Sequence, residues 1–182
     1  MNNHKVHPSP GFTLIELLIV ISIVGITVGI AVPSFQSLIA SNRLTTSANS
    51  LLSALQLAKS EAIKSNRLVI VSKSGTTWAN GWFVYSDNNQ NELQATDGTE
   101  PTISSFDALT TGFTVIATNG YTNRVTYRPD GRSTTNGSFN FCSPAGTADF
   151  RRVVIASTGR VHIETPTTAG ISYATACTPP SP

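Results

Sequence analysis

Charged residues are scarce in this sequence: Asp, Glu, Lys and Arg make up 12 % of the chain, and the formal net charge is +2. So small a balance excludes a wholesale nucleic-acid binder, and with 40 % hydrophobic residues the chain is too apolar to be disordered. Histidine is rarer still. The three, His4, His7 and His162, form no HExxH pair, and there is no GxSxG elbow and no Walker loop. No constellation for catalysis or for a cofactor emerges, so the chain reads as something other than an enzyme. One stretch, DNNQNE from Asp87, begins like a calcium loop, but Glu92 stands where such a loop needs glycine, and Gly98 where it needs a bidentate glutamate. It reads as a solvated hairpin loop, and no metal site is expected.

Cysteine is limited to Cys142 and Cys177, at a spacing that matches neither a zinc pair nor a CxxC redox motif. With an apolar segment upstream, the natural reading is one structural disulfide in an oxidising compartment, worth about 4 kcal/mol in the chain-entropy account. Two buried free thiols are the alternative. The pairing rests only on there being no other choice within the chain.

The charge that exists is uneven. Asp87, Glu92, Asp97, Glu100 and Asp107 cluster in the middle, whereas Arg124, Arg128, Arg132, Arg151, Arg152 and Arg160 occupy the C-terminal third. At 182 residues the chain has room for one membrane or stalk segment and one globular domain, and is too short for two sizeable cores.

What the sequence does contain is a long apolar run, FTLIELLIVISIVGITVGIAV from Phe12 to Val32, enough for a helix of about 20 residues to cross a bilayer. Its only charge is Glu16. A charge in the hydrocarbon core costs roughly 3 kcal/mol on insertion scales, so such a residue is expected to be functional and to have a partner. A secretory signal peptide would have a shorter apolar core followed by a small-residue cleavage site. An ordinary single-span anchor fits the length and leaves Glu16 unexplained. The short polar segment before the run carries Lys5 and the α-amino group, which by the positive-inside rule keep that end cytoplasmic and send the C-terminal part outward. Gly25, Gly29 and Pro33 weaken the helix that holds them, so it is expected to kink or loosen between Gly25 and Pro33.

Beyond Pro33 the pattern becomes amphipathic. Leu44, Ala48, Leu51, Leu55, Ala58 and Ala62 recur at spacings of three and four, one apolar face of a helix reaching about Asn66. From Leu68 on the helical period disappears. LVIVSK, WFVYS, FTVIAT, RVTYR, SFNFC, RRVVIAS and RVHIE are short β-rich runs separated by SG, NG, DG, TG and PG turn signals. Trp78 and Trp82 bracket one of these turns and read as core residues. The class is α+β, antiparallel sheets packed against one long helix.

GFTLIELLIV, from Gly11 to Val20, resembles the N-terminal motif of type IV prepilins and type II secretion pseudopilins. WANGWFVYSDNNQNE, VTYRPDGRS and RRVVIASTGRVHIE resemble successive motifs of the GspH/FimT family of minor pilins and minor pseudopilins. The resemblance covers most of the chain and implies a pilin fold. It divides the chain into a leader at 1–11 removed by prepilin peptidase, a transmembrane or filament-core helix at 12–33, an amphipathic half at 34–66, and a periplasmic β-rich domain at 67–182. It further implies cleavage after Gly11, which would discard His4 and His7, and N-methylation of Phe12. Glu16 would then be a docking charge that pairs with the N-terminal ammonium of a neighbouring subunit.

The implied role is a low-copy subunit of a type IV pilus, near the filament tip, that helps prime assembly. Its partners would be other minor and major pilins, the peptidase and the inner membrane. The NGWFVYSD stretch is more similar to pilus-associated members, and a minor pseudopilin of a type II secretion system is the alternative. Some relatives bind DNA at the filament tip through a GRxR-like tail motif. The matching positions here read Gly159, Arg160, Val161, His162, so DNA binding through Arg151, Arg152, Arg160 and His162 is a third reading, weakened by a histidine that is mostly neutral at pH 7. Adjacent strand residues point to opposite faces, so only one of Arg151 and Arg152 can share a surface with Arg160.

Overall fold

The computed structural model describes residues 11–93, 100–118, 121, 123–144 and 149–178, with the backbone alone described at Pro33. Apart from Gly11, the expected leader lies outside the described residues, as do Asp97 and Gly98. Helix α1 (Leu14–Ser65) runs for 52 residues. The chain's two compact units divide within it, between Ile39 and Ala40, and the two stretches follow different rules.

From Leu14 to Ile39 every described side chain is exposed, so this apolar stretch buries none of itself within the chain. From Ala40 on, one face is buried: Ala40, Leu44, Ala48, Leu51, Ala54, Leu55, Ala58 and Ala62. This is the stripe expected from the sequence, with Ala40 and Ala54 added. The alternation of leucine with alanine lets other elements approach the helix closely while each leucine contributes roughly 2 kcal/mol of burial. The helix stops where Asn66 turns left-handed (φ 52°) and the Arg67 N–H reaches back to the Ala62 carbonyl at 3.3 Å. That hydrogen bond satisfies a carbonyl which helix geometry leaves orphaned.

Among the described residues eight strands follow, forming two antiparallel four-stranded sheets. The first contains β1 (Leu68–Lys73), β2 (Trp82–Asp87), β3 (Thr102–Phe106) and β5 (Arg124–Tyr127), in the order β3-β2-β1-β5. The second contains β4 (Thr114–Ala117), β6 (Gly137–Cys142), β7 (Phe150–Ile155) and β8 (Val161–Glu164), in the order β4-β6-β7-β8. Period-two alternation sends Val69, Val71, Trp82, Val84, Val125 and Tyr127 of one sheet, and Phe139, Phe141, Val153 and Ile155 of the other, into one core with the helix stripe. Register keeps like with like: Val71 lies opposite both Val84 and Val125, and Phe139 opposite Val153. Aromatic rings link the sheets. Trp78 meets Phe139 edge-on at 4.7 Å between centroids, Trp82 meets Phe141 at 6.1 Å, and the buried Trp78 indole donates to the Tyr121 carbonyl at 2.9 Å. Both tryptophans are therefore core residues.

Three features depart from the expected strand pattern. β3 was not expected, because TISSF is rich in serine and half-exposed, and pairs only with β2. Two short helices, α2 (Pro166–Ala169) and α3 (Tyr173–Cys177), are the last described elements. They cover a second small cluster of Cys142, Phe150 and Ala176 with Ile116, Ile171 and Tyr173. The Cys142–Cys177 disulfide fastens this segment. The Asn140 amide donates to the Ala176 carbonyl at 2.8 Å, and the Tyr173 hydroxyl to the Ser143 carbonyl at 2.8 Å.

The DNNQNE loop is held by buried carboxylates. Asp87 accepts the backbone N–H groups of Gln90 (2.6 Å) and Glu92 (2.9 Å). Glu100 accepts those of Asn88 (3.0 Å) and Asn89 (3.3 Å), and the Tyr85 hydroxyl donates to the Glu92 carbonyl at 3.1 Å. Among the described residues, no group of three His, Cys, Asp or Glu side chains could hold a metal ion.

Two measurements check this core. The bridged cysteines are 35 residues apart, so replacing both by alanine should lower unfolding free energy by about 4 kcal/mol in denaturant titrations. An unchanged midpoint would show that the closing segment lies outside the cooperative unit. Burial pushes the Tyr85 phenol up to about 12, and burial pushes Tyr127 higher still. Unfolded phenols ionise near pH 10, so the unfolded chain loses these protons first and stability falls as pH rises above about 10. The phenolate absorbance of Tyr85 and Tyr127 should accordingly appear together with alkaline unfolding, and their titration ahead of unfolding would contradict the packing.

Candidate functional site

The head of α1 concentrates the residues that the sequence singles out. Phe12 is 81 % exposed, and a side chain at Gly11 would meet nothing within 4 Å. Packing within the chain therefore does not require glycine at that position. Thr13 supplies the helix cap. Its hydroxyl accepts the Glu16 N–H at 3.3 Å, and its carbonyl accepts the Leu17 N–H at 3.2 Å. The sequence reading missed this residue, although Thr13 followed three positions later by Glu16 is the pattern of a capping box. With the cap in place, Glu16 sits in the first turn, where the partial positive charge of the helix end favours a carboxylate.

Around this acid the surface is apolar. The helix contains an 18-residue window with mean hydropathy 2.6, none of it buried in the chain. The polar side chains further along turn back onto the helix: the Ser22 hydroxyl donates to the Leu18 carbonyl at 2.7 Å, and Thr27 to Ile23 at 3.0 Å. Glu16 has no such recourse and makes no ion pair among the described residues. Gly25 and Gly29 have open space where a side chain would stand. The helix assignment is continuous through Gly25, Gly29 and Pro33, so the isolated chain shows no break there.

The C-terminal arginines and His162 do not form one surface. Arg151 turns to the helix, where its guanidinium donates to Ser41 Oγ at 2.8 Å and Thr45 Oγ1 at 3.2 Å, and it pairs with Asp149 at 2.7 Å. Arg152 points to the other face of β7, donating to Ser138 Oγ at 3.0 Å and lying 3.9 Å from Glu164. His162 shares that glutamate at 3.2 Å. Arg160 is exposed in the turn between β7 and β8, at the opposite end of β7 from Arg151.

The chain matches a family described as type II transport protein GspH over residues 47–159, and the prokaryotic N-terminal methylation motif over residues 9–32. Two curated relatives, each a fimbrial protein of Pseudomonas aeruginosa, are 32 % identical over 98 residues, which is 51 % of this chain and 63 % of theirs. The chain thus spans just under two thirds of the length of those relatives. Among solved structures, the type IV minor pilin FimU of Pseudomonas aeruginosa matches 70 % of this chain and 96 % of its own, with a TM-score of 0.56 at 20 % identity. The minor pseudopilin EpsH of Vibrio cholerae matches 68 % of this chain and 98 % of its own, with a TM-score of 0.48 at 18 % identity. The likeness to FimU is one of fold: a long N-terminal helix with antiparallel sheets. Because the family match spans more than half of the sequence and the methylation motif coincides with the capped head of α1, the chain belongs to the GspH family of minor pilins and pseudopilins.

Proposed function

We propose that this protein is a minor pilin of a type IV pilus, built into the filament by its N-terminal helix, near the tip, where it helps prime assembly. The observation that carries the reading is a single carboxylate, Glu16, in the first turn of a helix whose described side chains are all exposed from Leu14 to Ile39. A carboxylate in such surroundings is stable only when paired. Prepilin peptidase would cut after Gly11 and methylate Phe12. The new ammonium group lies about one helical turn from Glu16 in sequence, and every neighbouring subunit carries one. Other pilins cover the apolar surface in the filament, and the inner membrane covers it before assembly, with the β-rich domain in the periplasm. Gly25, Gly29 and Pro33 would allow the helix to loosen on packing. The fimbrial relatives favour a pilus over a type II secretion pseudopilus, whose minor subunits would use the same docking chemistry.

DNA binding has less to support it. Arg151 and Arg152 are engaged by Asp149, Glu164 and nearby hydroxyls, and His162 by Glu164, which leaves Arg160 alone of the four proposed contacts.

Glu16→Ala should leave processing intact, so that the mature chain still begins at methylated Phe12 by intact mass. The amount recovered in filaments should fall by about tenfold or more, the scale of a 1.4 kcal/mol interaction. Undiminished incorporation would remove the docking role, and a host with the peptidase that leaves Gly11 uncut would remove the pilin reading itself.

A further inference from the structure

Two glycine turns meet against helix α1 and present arginines that make no ion pair among the described residues. The turn between β5 and β6 carries Arg128, Pro129, Asp130, Gly131 and Arg132. The turn between β7 and β8 carries Gly159 and Arg160. Both glycines are left-handed, each with φ 74°. They abut so closely that a methyl group on Gly159 would run into the Gly131 carbonyl, and one on Gly131 would press on Ile63 and Lys59. Lys59 locks the arrangement by donating to the Gly159 carbonyl at 3.2 Å. The turns are therefore fixed to the helix and to each other, unlike free hairpin tips.

On this platform Arg128, Arg132 and Arg160 are exposed, and among the described residues none makes an ion pair. The contrast with the strand arginines is sharp: Arg124, Arg151 and Arg152 each have a carboxylate partner within the chain. Asp130, in the same turn, offers a single negative charge against the three; it accepts the Arg132 backbone N–H at 2.9 Å and forms no ion pair among the described residues. Beside the cations stands an apolar residue, Ile63, 52 % exposed and leaning on Gly131.

We propose that this two-turn platform is a docking surface for an acidic face of a neighbouring filament subunit, with Ile63 at its centre and Arg128, Arg132 and Arg160 around it. The inference rests on the filament reading above. Charge complementarity calls for an acidic partner. The exposed isoleucine selects protein over nucleic acid, since protein interfaces combine an apolar centre with arginine anchors whereas phosphate contacts gain nothing from an aliphatic side chain.

The test uses the full-length chain in its own host, with a photo-crosslinking phenylalanine derivative at Ser60, exposed one turn before Ile63. Irradiation should join the chain to another pilin in purified filaments. Arg132→Glu with Arg160→Glu should abolish that product and reduce incorporation about tenfold. Arg132→Lys with Arg160→Lys should retain most of both, because charge is preserved. The thermal midpoint in detergent should be unchanged in each variant, as these side chains are exposed. Normal incorporation and cross-linking of the glutamate variant would overturn the proposal, as would a product dominated by nucleic acid. Absence of the wild-type chain from filaments would instead overturn the filament reading beneath it.

Discussion

The buried stripe of α1 from Ala40 to Ala62 is the constraint on which the second compact unit depends. The strand residues that face the helix pack into the same cluster as Leu44, Leu51 and Leu55, and the alanines between them set how near the sheets can come. That shared cluster is the main core, beside the small one under α3, so the helix completes the domain by filling the space both sheets face. A helix committed in this way cannot be withdrawn without opening the core. The stretch of the helix from Ala40 to Ala62 is therefore rigidly part of the domain.

The same helix meets opposite requirements along its length. Up to Ile39 its described side chains are all exposed, with no surface of the described chain to cover them. Beyond Ala40 its period narrows to one face. Glu16 stands in the first regime, and among the described residues it has no ion-pair partner. Thr13 contributes by keeping the first turn helical up to its start, so that the acid is carried on a defined backbone.

Much of this was legible in the sequence because it depends on local period and composition. The helix stripe, the tryptophans in the core and seven of the eight strands follow from spacings of three and four or of two. β3 was not legible, since a serine-rich edge strand paired on one side needs little hydrophobic alternation. The closing helices escaped for a related reason: four- and five-residue helices are held by a disulfide, an Asn140 hydrogen bond and Tyr173, none of which leaves a periodic signal. The arginines show where linear reading fails. Arg151 and Arg152 are adjacent in sequence, yet one binds the helix and the other Glu164. Arg132 and Arg160, far apart in sequence, are brought together by two glycines.

That last contrast bears on how charge is used in a chain with so little of it. Arginines on strands are compensated where they stand, because a strand face has fixed neighbours and an unpaired charge there would strain the sheet it belongs to. Arginines on turns project from the ends of the sheets, where like charges cost little in water but gain strongly once a partner excludes it. Gly131 and Gly159 admit the left-handed backbone, and Lys59 ties the result to α1. The helix that fills the core thereby also fixes the position of the exposed cations. Any partner that binds the platform is held in register with the helix stripe, and through it with the rest of the domain.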